Sequence, residues 1–211
     1  MTIKPHILFL GNSVDKSIQI DLLKEYILHM DDSLAQSVKS CKGKHEDLSL
    51  SLKCIADDKS DLLSNHFPEL LHVGFVISAV IFLENELTGF CQDLKKVENL
   101  GLTHKDLSGS FIERFKKYCE HIAKVDLSIS NEAWEDIKGV LEIRNCLVHN
   151  LGSILNFGKA NTIKAFSKRH GLPKIVDNSI VVDKAVSIKI LDIVNNFIEA
   201  FYQGALAKYH K

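Results

Sequence analysis

Residues Ser130–Gly152 read SNEAWEDIKGVLEIRNCLVHNLG, and the fold follows from how this stretch is read. Ser130 or Asn131 is suited to capping a helix N-terminus, and acids follow in the first turn. Trp134, Ile137, Leu141, Arg144 and Val148 then recur at helical spacing, while Val140, Ile143 and Leu147 make a second side apolar. A helix apolar on two sides must be covered on both, so this one is predicted to be the central helix of a bundle. Gly152 is a plausible stop.

Working outward, three helices are predicted upstream. Asp15 to about Ser40 carries Ile18, Leu22, Leu23, Tyr26, Ile27, Met30, Leu34 and Val38 at helical spacing. Before it, Ile7–Leu10 and the following Gly11-Asn12-Ser13 suggest a short strand or an extended lead-in. Residues 41–61 are polar and of mixed charge, as in a solvated irregular loop. A second helix, from about Pro68 to Val97, has the stripe Val73, Ile77, Val80, Glu84, Leu87, Cys91 and Leu94, in which Glu84 is the lone acid. A third covers about Gly109 to Lys124 with Phe111, Ile112, Phe115, Tyr118, Cys119 and Ile122.

Downstream the chain changes character. Phe157–Lys174 carries Lys159, Lys164, Lys168, Arg169 and Lys174 and no acid. Residues 174–182, with Asp177-Asn178 at their centre, resemble a small β-hairpin. A last helix from about Lys184 to Lys208 presents Val186, Ile190, Ile193, Val194, Phe197, Ile198 and Phe201 to close the bundle. The expected architecture is one all-α domain over residues 1–211, an up-and-down bundle with a minor hairpin before its last helix.

Composition narrows the function classes. The 211 residues are 45% hydrophobic with a formal net charge of -1, which excludes a disordered chain and argues against a broad DNA-coating surface. Five cysteines with no CxxC pair read as reduced thiols of a cytoplasmic protein, not as a disulfide framework or zinc site. The N-terminus offers too short an apolar run for a secretion signal. The longest apolar stretch, Val73–Leu83, is too short to span a bilayer, so no membrane partner is expected.

Chemistry concentrates at Arg144–Asn150. Arg144 stands in an apolar stripe, where an unpaired charge costs several kcal/mol, so it needs an anion: the Glu84 carboxylate or an RNA phosphate. Asn145 and His149 are four residues apart and face one side of the helix. Arg144 and His149 are five apart, about 140° around a straight helix. They can line one cleft only if the helix end unwinds or a second subunit supplies half the site. The looser pair Arg114 and His121 lacks the polar neighbour and the following Asn-x-Gly.

The segment RNCLVHN, Arg144–Asn150, resembles the signature of the HEPN family (higher eukaryotes and prokaryotes nucleotide-binding): Arg, four to six residues, then His, often with a polar residue after the Arg. The likeness covers roughly residues 70–205. It implies a metal-independent endoribonuclease without cofactor, acting as a homodimer on RNA in toxin, stress or phage-defence biology, with an antitoxin or regulatory protein as a further partner. In that frame Arg144, His149 and Asn145 are the catalytic residues and Glu84 and Asn150 support them. His149 takes the 2′-hydroxyl proton or protonates the leaving oxygen, Arg144 stabilises charge on the phosphate, and Asn145 orients phosphate or imidazole. Lys159, Lys164, Lys168 and Arg169 are the expected RNA contacts. The alternatives are a non-catalytic HEPN module that binds RNA or nucleotide or scaffolds an assembly, and a helical interaction protein without nucleic acid. A toxin silenced by modification of a tyrosine two positions after the histidine is disfavoured, because that position is Leu151.

Overall fold

The computed structural model describes residues 4–42, 61–127 and 129–210; most of the loop expected at 41–61 lies outside them. Among the described residues, six α-helices and one two-stranded antiparallel sheet make an all-α bundle with a hairpin before its last helix. They are α1 (Pro5–Lys42), α2 (Phe67–Glu98), α3 (Phe111–Lys117), α4 (Asn131–Asn150), α5 (Ala160–His170) and α6 (Lys184–Tyr209), with β1 (Lys174–Val176) and β2 (Ser179–Val181) between α5 and α6. One π-helical turn, Leu62–His66, leads into α2, and another, Tyr118–Ile122, continues α3.

Polar contacts fix the helix directions. α1 runs antiparallel to α6, because Asp31 meets Lys184 at one end and the Phe9 ring stacks on Tyr209 at the other. α1 is also antiparallel to α2, through Asp31 with His72 and Asn12 with Asp93. α2 and α6 are parallel, with His72 beside Ser187 and Glu98 beside Lys208. α4 opposes α2: Trp134 packs on Phe115, which packs on Phe90, whereas ten residues later Arg144 meets Glu84. The long helices therefore alternate up and down.

The core lies where α2, α4 and α6 converge. Every apolar position expected of the last helix is buried: Val186, Ile190, Ile193, Val194, Phe197, Ile198 and Phe201. In α4 the buried side is Trp134, Ile137, Val140, Ile143 and Leu147. Leu141, Arg144 and Val148 follow the border of the core, so that stripe faces an edge and not the centre. α2 buries ten residues, including His72, Phe75, Leu83 and Phe90. By length and composition Leu62–Glu98 is apolar enough to cross a membrane, so the eleven-residue limit drawn from Val73–Leu83 understates it. Here it is a bundle helix whose Glu84 and Glu86 take ion pairs from Arg144 and Lys16.

Three local expectations are corrected. Ile7–Leu10 is helical, not extended, and Gly11-Asn12-Ser13 continues α1 because Phe9 is buried and Asn12 donates to Asp93 of α2. Tertiary contact overrides weak helix propensity there. The stripe expected on α1 divides: Ile27 is buried, with Phe9 and Ile20 added, while Ile18, Leu22 and Tyr26 are more than half exposed. Residues 160–170, read only as a basic run, form α5. Its Ile163 and Phe166 are buried, and Phe166 docks on α4 at Gly139, where a Cβ would come within 2.4 Å of the Phe166 ring. The hairpin is as expected, with Asp177 and Asn178 both at positive φ, the geometry that joins two twisted strands in a two-residue turn.

Candidate functional site

α4 delivers the motif as a regular helix through Asn150. Ser130 caps its start, its hydroxyl oxygen accepting from the Ala133 N–H at 3.2 Å. Its end is held from outside. The Ile180 N–H donates to Gly152 O at 2.9 Å, and the Ile154 N–H donates to Asn178 O at 2.8 Å, tying the turn after the motif to the hairpin. Asn150 closes that turn through Nδ2, which donates to Ser153 O and Leu155 O. It serves the backbone there. The helix stops at Leu151, one residue before the expected Gly152. Leu151 takes φ 50°, a left-handed conformation that a Cβ-bearing residue adopts at a cost of about 1–2 kcal/mol. Its side chain is 93% exposed.

Arg144 donates to the Glu84 carboxylate, the pairing expected of the lone acid on the α2 stripe. The match is incomplete. Arg144 Nε is buried and has no hydrogen-bond partner among the described residues. Such an orphaned donor costs about 1–3 kcal/mol until an acceptor reaches it. The Glu84–Arg144 pair lies on a cavity of about 710 Å³, which Phe111, Leu141, Glu142, Asn145, Lys159 and Thr162 also line. Asn145 Nδ2 donates to Glu142 Oε2 at 3.4 Å.

His149 does not line that cavity. It is exposed and has no hydrogen bond or ion pair among the described residues. Because α4 does not unwind, one chain keeps Arg144 and His149 on different sides of the helix. Apolar side chains are also exposed at this end, Val148 by 44%. The antiparallel register pinned at Glu84–Arg144 puts Ile81, one turn before Glu84, level with Val148, one turn beyond Arg144. Ile81 is 50% exposed as well.

Of the four basic side chains expected to meet RNA, Lys159 lines the cavity. Lys164 and Lys168 are exposed and without a partner among the described residues. Arg169 is bound elsewhere: its Nε and a terminal nitrogen donate to Asp136 Oδ1 at 2.9 and 2.6 Å. His170 Nε2 lies 2.9 Å from the same oxygen. Sequence reading missed this cluster, because Asp136 is thirty-three residues from Arg169 and looks like one more acid near a helix start.

Sequence reading also missed a Ser–His–Asp array. Ser187 Oγ lies 3.3 Å from His72 Nδ1, and His72 Nε2 lies 3.3 Å from Asp31 Oδ1. Ser187 is 1% exposed and lines none of the described cavities, so no substrate reaches its hydroxyl; the array joins α1, α2 and α6. Burial pushes the Cys146 thiol up, and its Sγ lies 3.2 Å from Ser153 O, which leaves it a packed, un-ionised group within the motif. No group of three or more His, Cys, Asp or Glu among the described residues is arranged to hold a metal ion. Comparisons with family models, with curated proteins and with solved structures find no match to this chain.

Proposed function

We propose that this chain is an endoribonuclease of the HEPN type that works as a homodimer, with Arg144, Asn145 and His149 as its catalytic residues. One observation carries the reading: a half-buried arginine with an unsatisfied Nε lines a nucleotide-sized cavity, and a histidine unpartnered among the described residues stands five residues on in the same helix. In the reaction the RNA 2′-oxygen attacks the adjacent phosphorus and the P–O5′ bond breaks. One His149 takes the 2′-hydroxyl proton, and the partner's His149 gives a proton to the departing 5′-oxygen. Arg144 stabilises the charge that develops on the phosphate. The products are a 2′,3′-cyclic phosphate and a 5′-hydroxyl.

The geometry of α4 supports the dimer. A two-fold axis beside Val148, Leu151 and Ile81 covers exposed apolar side chains and brings the two His149 residues toward each other and toward the paired clefts. Lys159, Lys164 and Lys168 extend the site along the RNA backbone. The setting we infer is the cytoplasm, with an antitoxin or similar protein as regulator. A second reading, a non-catalytic RNA-binding module, is favoured by the position of His149 outside the cavity of its own chain.

The test is cleavage of a defined single-stranded RNA by the wild type and by His149→Ala, in excess EDTA. The wild type should cut and leave cyclic phosphate ends, and a 2′-deoxy substrate should survive. Glu84, neutralised by Arg144, is a poor cation ligand, so chelation should have no effect. A folded His149→Ala that cuts at the wild-type rate would remove the site assignment, and an activity restored only by added magnesium would remove the mechanism.

A further inference from the structure

The cavity beside Arg144 carries a charge pattern that selects more than a phosphate. Its volume of about 710 Å³ falls within the usual range for small-molecule sites. Most of its charges are already matched. Glu84 accepts from Arg144, Glu135 holds Lys138 at 2.7 Å, and Glu113 Oε2 accepts from the Ser110 N–H at 2.8 Å. Two charged side chains on it remain without an ion pair among the described residues: the Lys159 ammonium and Glu142, whose hydrogen bond there comes from Asn145 at 3.4 Å; Arg144 adds a guanidinium that Glu84 engages through one terminal nitrogen. Phe111, Ile112 and Leu141 supply an apolar wall. Phe111 is only partly buried although it begins α3 inside the bundle.

A ligand that fits has an anion for Arg144 and Lys159, a flat apolar body for Phe111 and Leu141, and paired donors for the Glu142 carboxylate. A nucleotide of single-stranded RNA has the first two, since unstacked bases lie on aromatic rings and are read along their Watson–Crick edges. The carboxylate chooses among the bases. Guanine alone presents two adjacent donors on that edge, N1–H and the N2 amino group, which meet the two carboxylate oxygens side by side. Adenine and cytosine place a ring acceptor next to their one amino group, and uracil flanks its N–H with two carbonyls, so each sets a lone pair against Glu142.

We propose that this cavity binds a guanine of the RNA, with Glu142 as the specificity-determining residue, Phe111 as the stacking surface, and the adjoining phosphate on Arg144 and Lys159. The proposal rests on the ribonuclease reading of the same site and names its substrate preference.

The experiment is calorimetric titration of the four nucleoside 3′-monophosphates into the full chain carrying His149→Ala, with and without Glu142→Gln or Phe111→Ala. Guanosine monophosphate should bind at least about tenfold tighter than the other three. Glu142→Gln should cut that preference to about twofold while the other three bind as before. Phe111→Ala should weaken all four alike, with the circular dichroism unchanged. Equal binding of the four, absence of binding, or a preference that survives Glu142→Gln overturns the proposal. Its failure is separable from that of the ribonuclease reading. Guanine-selective binding by a chain that never cuts RNA keeps the cavity and removes the enzyme, whereas RNA cut without regard to base, with equal nucleotide binding, does the reverse.

Discussion

α4 takes part in two carboxylate–arginine pairs, Asp136 with Arg169 and Arg144 with Glu84, each with a histidine near it in sequence, and they are finished to different degrees. At Asp136 one carboxylate oxygen accepts from Arg169 and also contacts His170, all three mutually engaged under α5. At Arg144 the carboxylate of Glu84 takes one terminal nitrogen, Nε has no partner among the described residues, and His149 is exposed to solvent. A closed cluster fixes one helix on another. An open one leaves polar groups unmatched beside a cavity, which is what makes it the candidate site. Residue type does not distinguish the two; satisfaction does.

The sharpest way to break this comparison is to remove the histidine of each. His149→Ala should lower cleavage by at least about a hundredfold and change stability by under about 0.5 kcal/mol. His170→Ala should leave cleavage per folded molecule within about twofold yet cost about 1–2 kcal/mol, because it takes a hydrogen-bond partner away from Asp136. Asp136→Ala should cost more, about 2–3 kcal/mol, because it strands Arg169 partly buried. Thermal melts and initial cleavage rates on the three variants decide it. A His170→Ala chain that melts like the wild type but fails to cut would reverse the assignment of the two clusters.

How far the sequence disclosed these clusters depended on whether a helix's own period located the residues. α4, α6 and the hairpin were legible: their stripes, the Ser130 cap and the Asp177-Asn178 turn are local signals, and the structure keeps them. The Glu84–Arg144 pair was legible because each is the only charge of its sign on an apolar stripe. α5 was not, since its helix depends on Phe166 entering the space left by Gly139, a contact twenty-seven residues away in sequence. Arg169 was misleading for the same reason: in the chain it is one basic residue among several, and in the fold Asp136 has taken it. The side of α4 on which His149 lies was foreseen from the helical period; that the helix stays wound to Asn150 was not.

The open cluster also predicts opposite effects from one substitution. Leu151 is left-handed and 93% exposed, so it contributes strain to the isolated chain and an apolar surface that the proposed partner copy would cover. Leu151→Gly should remove the strain and raise the stability of the single chain by about 0.5–1 kcal/mol. The same change should weaken self-association, and cleavage should fall on dilution sooner than in the wild type. Sedimentation and melting at several concentrations read both. Stability and association that rise together would mean that α4 does not face its copy at this point.

The smallest effect belongs to a third carboxylate of the closed kind. Glu98 Oε1 accepts from Lys208 Nζ at 2.7 Å and from the Tyr209 hydroxyl at 2.5 Å. The Lys208 and Tyr209 hydrogen bonds hold its carboxyl below the ordinary glutamate value of 4.5, against a smaller opposing effect of burial. Burial and the same hydrogen bond push the Tyr209 hydroxyl up, so it stays a donor throughout the neutral range. The sign follows from linkage. A folded-state value below the unfolded one means that ionised Glu98 stabilises the fold at every pH above about 4.5, and that this contribution fades as acid protonates the folded chain. Glu98 is near the surface, so the effect is less than about 1 kcal/mol, or about 2–4 °C in melting temperature for a chain of this size. Glu98→Gln should therefore melt slightly below the wild type at pH 7 and approach it as the pH falls below 4.5. Its RNA cleavage should stay at the wild-type level, because a satisfied carboxylate at the far end of α2 holds nothing open for a ligand. Melting curves that stay parallel from neutral to acid pH would show that the end of α6 is held by packing of Tyr209 and not by the charge of Glu98.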